Sequence, residues 1–436
     1  MKKQSKSREY MRYMLLNVSG MLGLSCYILA DTFFVSKGLG THGLAALNLA
    51  LPVYSVVNGS GLMLGMGGAT RYSIFKGQKF PENANRAFTN TVYVAVVLAV
   101  VFIVTGLFAS KRLTALLGAD VEVFEMTNTY LKVILMFSPA FIMNNLFVCF
   151  VRNDGSPQLS MMAMLCGSFS NIILDYIFIF PLRMGIFGAV LATGCAPFIS
   201  MSVLLTHKLK KRYGFHFVKR WPQPAMVLNI ISLGFPSFIT EVSSGIVMLA
   251  FNMLIWELEG NIGVAAYGVI ANLSLVVLSI YTGIAQGMQP LVSKAYGVGD
   301  AKTAKQLLRY GIVTECLVSV SVYVLMSIFA GPITAVFNSE ENMRLQEIAV
   351  NGIRLYFLSI PFAGLNIVLS SYFTSTEKTA PAHVISLLRG IILILPVVLL
   401  GAWIAGLTGV WLAVPITECV VCIMTLIHGL GSAHSK

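Results

Sequence analysis

Charged residues are scarce in this 436-residue sequence, where Asp, Glu, Lys and Arg together make up only 11%. Soluble domains carry about 25% of these residues. Hydrophobic residues reach 56% and the mean hydropathy is +0.79. No segment is left that is polar enough to form a soluble domain of useful size. The composition therefore excludes a soluble globular protein and indicates a chain that lies mostly inside a lipid bilayer.

The sequence also lacks the usual signatures of chemistry and of nucleotide binding. It contains no GxxxxGK[ST] loop to hold the phosphates of a nucleotide. The seven cysteines lie inside hydrophobic stretches without the spacing of a metal site, and no histidine or aspartate cluster suggests membrane-embedded catalysis. We therefore expect a protein that is not an enzyme and has no cofactor. If it moves a solute uphill, an ion gradient must supply the energy.

Hydrophobic stretches of roughly 20 residues recur along the whole chain, each long enough to cross a hydrocarbon core of about 30 Å. Barrel strands would be about 10 residues of alternating polarity, which these stretches are not. The sequence therefore predicts an all-α integral membrane protein with twelve transmembrane helices. The predicted spans lie near 12–36, 44–70, 88–109, 128–151, 158–182, 185–206, 228–256, 262–290, 308–330, 350–374, 382–405 and 409–430.

The formal charge of +12 is distributed unevenly across the predicted topology. Most of the 30 Lys and Arg fall in the N-terminal segment and in the loops after every second span, on one side of the membrane. Loops rich in Lys and Arg stay in the cytoplasm. The excess charge thus predicts a multi-pass plasma-membrane protein with both termini cytoplasmic, and no nucleic-acid partner.

The chain divides into two halves at a basic loop, 207–227, which contains Pro222 and Pro224. Sliding one half over the other by 220 or 221 residues superposes small residues in both loops and helices. The matched pairs are Gly40 and Gly260, Gly43 and Gly263, Ala45 and Ala265, Ala46 and Ala266, Gly67 and Gly287, Ser73 and Ser293, Gly77 and Gly297, Gly185 and Gly406, and Gly188 and Gly409. Membrane proteins are rich in small residues, but the constant offset favours a duplication. We predict two pseudo-symmetric six-helix lobes, 1–206 and 228–436, around a central cavity.

Five carboxylates fall inside predicted spans, where each costs roughly 2.5–3.5 kcal/mol at depth, so a functional role is the first hypothesis. Asn171 and Asp175 are four residues apart and share one face of span 5. Thr193 lies about as deep on span 6, and Asp31 reaches the same depth on span 1. Two carboxylates, an amide oxygen and a hydroxyl at one level can hold sodium, and the carboxylate pair can instead hold a proton. The alternative is a hydrogen-bonded cluster that only fixes helix packing.

The other three carboxylates have different surroundings. Glu241 lies near the middle of span 7, just after Pro236, which suits a substrate contact, a second coupling carboxylate or a structural partner. Glu315 and Glu418 are expected to pair with Arg389, which is the cation well inside a predicted span and away from its ends, because an unpaired charge there is costly.

Several segments, in this order and spacing, resemble the multidrug and toxic compound extrusion (MATE) family, within a superfamily that also holds lipid-linked oligosaccharide flippases. They are Asp31-Thr-Phe-Phe-Val35, Leu39-Gly40, Gly43-Leu-Ala-Ala46, Val151-Arg-Asn-Asp-Gly-Ser-Pro157, Asn171-Ile-Ile-Leu-Asp175 and Gly185-Ile-Phe-Gly-Ala-Val-Leu-Ala-Thr193. The resemblance covers essentially the whole chain. Family members often carry a proline in span 1, whereas this span has none and offers only Gly20 and Gly23 as weak points.

The resemblance implies a V-shaped pair of lobes with an ion site in the N-terminal lobe. By motif, the ion-binding residues would be Asp31, Asn171, Asp175 and Thr193. Glu241 falls on a span-7 carboxylate that some members use in the second lobe. The implied function is antiport, in which organic, often cationic or amphipathic compounds are exported in exchange for protons or sodium ions. We expect a monomer.

Three other functions stay open. A flippase or exporter of a lipid-linked substrate would be expected to show several cations facing the cavity. A membrane-embedded transferase would need a metal or a nucleophile constellation. A channel or sensor would work without Asp175.

Overall fold

The computed structural model describes residues 6–209, 213–338 and 341–431, with side chains described up to residue 427. Within these ranges the chain is almost entirely α-helical and contains no strand. The helices are α1 (Lys6–Gly77), α2 (Pro81–Phe108), α3 (Ser110–Leu116), α4 (Phe124–Met136), α5 (Ser138–Asn153), α6 (Pro157–Ile179), α7 (Gly185–Leu209), α8 (Pro224–Gly297), α9 (Ala301–Ile328), α10 (Ala330–Phe337), α11 (Met343–Tyr356), α12 (Ile360–Ser375), α13 (Thr379–Leu387) and α14 (Ile394–Gly431).

Three of the long helices are hairpins whose two arms meet at a glycine. In α1 the turn is at Gly40, and the hydroxyls of Tyr27 and Tyr54 on its two arms lie 3.2 Å apart. Gly40 has φ 67° and ψ −157°, a conformation that is essentially restricted to glycine. The same reversal occurs at Gly260 in α8 and at Gly406 in α14.

Counting each hairpin as two spans confirms the predicted twelve transmembrane helices. The other spans are α2, the α4–α5 pair, α6, α7, α9 and the continuous Met343–Ser375 segment. The α4–α5 pair is bent by 49° next to Pro139, as expected where proline interrupts a helix. The predicted offset also holds, since Gly40 and Gly260 both turn with positive φ, as do Gly185 and Gly406.

The lobes pack through α1 and α8, each of which supplies two arms to the interface. Gly67 and Gly234 let the second arm of α1 contact the first arm of α8. A Cβ at Gly67 would lie 2.0 Å from the Ile230 carbonyl oxygen, and one at Gly234 would lie 1.8 Å from that of Met63. The glycine-rich stretch of span 2 therefore serves close helix approach, as predicted for small residues between membrane helices.

The segment between the lobes, residues 213–223, is extended and lies along α2. Phe215 is buried between the rings of Phe88 and Phe150, with centroids 4.8 and 5.5 Å away. Backbone N–H groups of the segment donate to polar side chains of α2. These bonds run from His216 to Asn85, from Val218 to Thr89 and from Gln223 to Asn90. The predicted loop 207–227 is thus shorter in the structure, because α7 continues to Leu209 and α8 begins at Pro224.

The molecule has two faces at opposite ends of its helices. The basic face carries Lys6, Arg71, Lys76 and the 213–223 segment. The glycine-turn face lies at the opposite end of the helices and carries Gly40, Gly260 and Gly406.

Candidate ion and substrate site

A cavity of about 370 Å³ lies between the two lobes. Both lobes line it, through α1, α5, α6 and α7 on one side and α8 and α12 on the other. Its wall combines apolar and aromatic side chains with Asn, Ser and Thr. Among the described residues, the charged groups that line it are Glu241 and Arg389. A largely apolar cavity with a few polar groups is typical of a site for an organic small molecule.

Asn171, Asp175 and Thr193 meet where α6 packs against α7. With its amide oriented to satisfy both neighbours, Asn171 donates from Nδ2 to Asp175 Oδ2 at 3.0 Å. Its Oδ1 accepts from the Thr193 backbone N–H at 3.2 Å. The Thr193 hydroxyl donates to the Ala189 carbonyl one turn earlier. Asn171 and Thr193 line the cavity, whereas Asp175 is fully buried behind them.

Asp31 completes this group from the first arm of α1. It is buried and lies within electrostatic reach of Asp175, with the hydroxyls of Tyr54 and Tyr130 in the same region. The structure therefore brings all four predicted ion-site residues into one neighbourhood.

Neither carboxylate of this group is neutralised by a protein cation. Within the described residues, Asp31 and Asp175 take part in no ion pair, and Oδ1 of each is buried without a hydrogen-bond partner. Two unpaired buried charges of like sign would be strongly unfavourable. The chemistry of the pair therefore fits a group that binds a proton or a small cation.

Glu241 lies at the junction of the lobes on the cavity wall. Asn58 of α1 donates to Glu241 Oε1 at 2.8 Å, and Asn145 of α5 donates to Asn58 Oδ1 at 2.8 Å. The carboxylate is half-buried and faces the cavity. Hydrogen bonds between two side-chain amides thus connect the N-terminal lobe to Glu241, the carboxylate expected to contact substrate.

Arg389 and Glu418 form the expected ion pair in the C-terminal lobe. The guanidinium donates to Glu418 Oε1 from Nε at 3.0 Å and from a terminal nitrogen at 2.7 Å. Asn366 donates to the other carboxylate oxygen at 2.7 Å. Arg389 sits in a π-helical turn, Leu388–Ile392, which directs its side chain to the cavity wall.

The expected pairing of Glu315 with Arg389 is wrong. Glu315 is fully buried between α8, α9 and α12, where Ser319 approaches one carboxyl oxygen at 3.4 Å. Its Oε2 has no hydrogen-bond partner. The sequence could not show this, because pairing depends on which helix faces are packed together.

A second buried cation was missed by the sequence reasoning. Arg152 was placed in the loop between spans 4 and 5, but α5 continues to Asn153 and the Arg152 side chain is fully buried. It donates to Asn17 at 2.8 Å and to Gln286 of the other lobe at 2.7 Å. The sequence feature that could have indicated this is the segment Val151–Pro157, which contains Arg152 and resembles a motif of the family.

Asp154 follows α5 at the basic face and gathers four donors. They are the Tyr72 hydroxyl, Lys76, the His207 ring and the Gly214 backbone N–H. Burial acts to raise the pKa of Asp154, but hydrogen bonds from His207, Lys76 and Tyr72 outweigh it and hold that pKa below its ordinary value. The cluster anchors the 213–223 segment to the N-terminal lobe.

Gly20 and Gly23, the two weak points expected in span 1, lie in an unbroken helical arm. Both face α6, where an added Cβ would meet Met164 at 3.0 Å and Leu165 at 2.5 Å, respectively. In this structure they allow close packing of α1 against α6.

A twelve-helix membrane protein with two pseudo-symmetric lobes around a central cavity has the architecture of a secondary transporter. The MatE family model matches residues 18–177 and 236–400. The chain therefore belongs to the MatE family of transporters.

Curated relatives and solved structures agree with this assignment over nearly the whole chain. The chain is 25% identical to a multidrug export protein, MepA, of Staphylococcus saprophyticus over 98% of its length and 94% of the relative's. It is 24% identical to MepA of Staphylococcus aureus over 96% and 92%. An outward-facing multidrug resistance MATE transporter superposes with a TM-score of 0.91 at 22% identity, covering 99% of this chain and 96% of that one. A MOP superfamily transporter from Pyrococcus furiosus gives 0.90 at 23%, with the same coverage.

Proposed function

We propose that this protein is a secondary active antiporter that exports organic, often cationic or amphipathic compounds in exchange for an inward-moving ion. The observation that carries the proposal is the buried carboxyl pair of Asp31 and Asp175. It has no cationic partner among the residues that the structure describes, and it adjoins the cavity through Asn171 and Thr193. Binding of an ion at this pair changes the charge of the N-terminal lobe directly beside the cavity. Ion and substrate thus act on the same set of helices.

We take a proton as the coupling ion. Oδ1 of Asp31 and Oδ1 of Asp175 are buried without a hydrogen-bond partner in the described structure. Protonation of one of the two carboxyls removes one of two like charges and needs no further ligand.

The substrate class follows from the wall of the cavity. Tyr27, Tyr54 and Phe141 supply aromatic surface, and Met21, Met66 and Met164 supply adaptable thioether side chains. Glu241 is the cavity carboxylate without a cationic partner, whereas the charge of Arg389 is matched by Glu418. This wall suits an apolar organic compound that carries a positive charge. The multidrug export proteins among the relatives support the same class.

The available driving force is adequate for export. One charge moving inward through 100 mV supplies about 2.3 kcal/mol. At roughly 1.4 kcal/mol per tenfold, this supports a gradient of about 50-fold for a neutral substrate. A monovalent cationic substrate exchanged for one proton would use only the chemical part of the ion gradient.

We further propose a plasma-membrane location with both termini cytoplasmic and a monomeric state. Lys and Arg concentrated on the basic face support this orientation. Ion and substrate sites that lie within one chain support a monomer.

The test is efflux of a fluorescent lipophilic cation from energised vesicles, comparing the wild type with Asp175→Asn. Efflux driven by a pH gradient is expected in the wild type, and at least a tenfold lower rate in the variant, because one of the two proton-binding carboxyls is lost. Glu257→Gln, which removes an exposed carboxylate of α8, is the matched control and is expected to transport normally.

Normal efflux by Asp175→Asn would contradict the proposed site and make Asp175 structural. If efflux by the wild type required sodium, the coupling ion would be sodium and not a proton. Absence of efflux by the wild type would contradict this substrate class, and lipid-linked precursors would then be tested. The flippase alternative has little support in the cavity wall, where Arg389 is the one lining Lys or Arg among the described residues.

A further inference from the structure

Glu315 is a buried carboxyl that the proposed antiport mechanism does not use. It lies near the middle of α9, far from the Asp31–Asp175 pair in the other lobe, and its side chain is fully buried. Oε1 packs against the backbone of Gly364 on α12, where an added Cβ would lie 1.7 Å from it. Among the described residues, Ser319 is the one whose hydroxyl donates to this carboxyl, at 3.4 Å, and Oε2 has no hydrogen-bond partner.

No cation neutralises this carboxyl within the described part of the chain. The titratable groups near it are Tyr10 on α1, Tyr281 on α8 and Cys316 on α9, none of which carries a positive charge. Gly364, its contact on α12, has no side chain. An ionised carboxylate here would be an unpaired charge in a low-dielectric interior, which is costly. The neutral acid avoids this cost, because it carries no charge.

The N-terminal lobe covers this region of α9. Tyr10 of α1 donates to Thr314, the residue before Glu315, at 3.1 Å, and the Tyr10 ring packs against Tyr310. Beside this contact, Met14 meets the backbone of Gly287. Because α1 belongs to one lobe and α9 to the other, a separation of the lobes at the basic face removes α1 from the Thr314 side of α9, next to Glu315.

We propose that Glu315 is a second proton-binding site, in the C-terminal lobe, which holds its proton while α1 covers α9. When the lobes separate at the basic face, Glu315 releases its proton to the water there, and it takes up the next proton from the opposite face once α1 has returned. The step makes and breaks only the carboxyl O–H bond. Its use in transport rests on the proposed antiport, whereas its protonation in this conformation does not.

The direct test is infrared spectroscopy of the purified protein at neutral pH, in H₂O and D₂O. Protonated carboxyl groups give a carbonyl band that shifts on deuteration. Glu315→Gln is expected to remove about one carboxyl equivalent of this band, whereas the exposed control Glu257→Gln is expected to leave it unchanged. An unchanged band in folded Glu315→Gln would overturn the proposal.

A second variant covers the case in which Glu315→Gln does not fold. Ser319→Ala keeps the carboxyl and removes its hydroxyl neighbour, so the band is expected to remain and to shift in frequency. A band that neither shifts nor changes in Ser319→Ala would contradict the assignment to Glu315.

Transport measurements then separate this site from the antiport itself. In vesicles with a pH difference of one unit and no membrane potential, two coupled protons support a gradient of about 100-fold for a neutral substrate, and one proton about tenfold. Glu315→Gln is therefore expected to lower the final gradient about tenfold. An unchanged gradient would overturn the coupling role. Absence of transport by the wild type, together with loss of the infrared band, would refute the antiport and support the proton site.

Discussion

The carboxylates inside the membrane differ chiefly in their partners. Glu418 is held by a guanidinium and an amide, and Glu241 by one amide. Asp31, Asp175 and Glu315 each keep a buried oxygen without a partner. A carboxylate with a cation beside it is stable in its charged form, whereas one without is poised to take up a proton. We therefore propose that these partners, and not depth alone, separate structural carboxylates from the proposed coupling carboxyls.

Removal of one member of the Arg389–Glu418 pair is expected to destabilise the protein by about 3–5 kcal/mol, because it leaves the other charge unpaired in the membrane. Arg389→Gln and Glu418→Gln test this singly, and the double variant is expected to recover most of the loss. The measurement is the free energy of unfolding in mixed detergent micelles. If the loss of unfolding free energy in the double variant equalled the sum of the losses in the two single variants, the groups would act independently.

Much of the candidate site could be predicted from spacing along the chain. Asn171 and Asp175 are one helical turn apart, and the short turn before Gly185 sets Thr193 opposite them. The environments of Glu315 and Arg152 could not be predicted in this way. Both depend on which faces of sequence-distant helices pack together, which hydrophobic composition in the membrane does not determine.

At the scale of the helices, glycine has two separate uses. At Gly40 and Gly260 it reverses a helix in a conformation closed to other residues. At Gly67 and Gly234 the backbone is ordinary helix, and what matters is the absent side chain. The lobes could not approach as they do if either position carried a methyl group.

Gly67→Ala and Gly234→Ala are each expected to destabilise this conformation by about 1–3 kcal/mol, since the new methyl would overlap a backbone carbonyl. Gly268→Ala is the matched control, because a Cβ there meets no atom within 4 Å. The thermal unfolding temperature of the purified variants measures the difference. Equal unfolding temperatures for the three variants would contradict the packing role.

The lengths of the hydrophobic stretches predicted the spans, and the repeated glycines predicted the duplication. The bend between α4 and α5 and the course of residues 213–223 were not predicted. The bend needs knowledge of how the helix around Pro139 packs. The course of the segment depends on Asn85, Thr89 and Asn90, which along the sequence are ordinary polar residues near a helix start.

At the scale of the whole molecule, polar contacts hold the lobes together at the basic face. Arg71 pairs with Glu377, and Lys6 contacts Thr303. Deeper in the membrane, Gln289 donates to Thr70 at 2.8 Å and accepts from Asn153 at 3.0 Å. Transporters alternate between states that open on opposite sides. This set of contacts must break for the basic face to open.

Gln289→Ala is expected to shift the protein toward opening at the basic face, because it removes the fully buried centre of this network. A loss of about 1.4 kcal/mol would change the ratio of the two states tenfold. Spin labels at Phe80→Cys and Val298→Cys, exposed positions on the two lobes, measure the change in a cysteine-free background. The distance distribution is expected to gain a longer component.

Gln306→Ala is the matched control for this measurement. In the described part of the chain Gln306 bonds to Tyr310 of the same helix, so its loss removes a side-chain amide without removing a hydrogen bond between the lobes. A longer component in both variants, or in neither, would contradict the role assigned to Gln289.

The segment that joins the lobes has a mechanical consequence. Phe215 is anchored in the N-terminal lobe, and the N–H of Gln223 is still bonded to Asn90 on that lobe. Residues 215–223 are therefore held on the N-terminal lobe, and the helix of the other lobe begins directly after them, at Pro224. Gln223 is extended there, as residues before proline prefer. A probe bound to residues 215–223 would move with the N-terminal lobe and would not report the separation of the lobes.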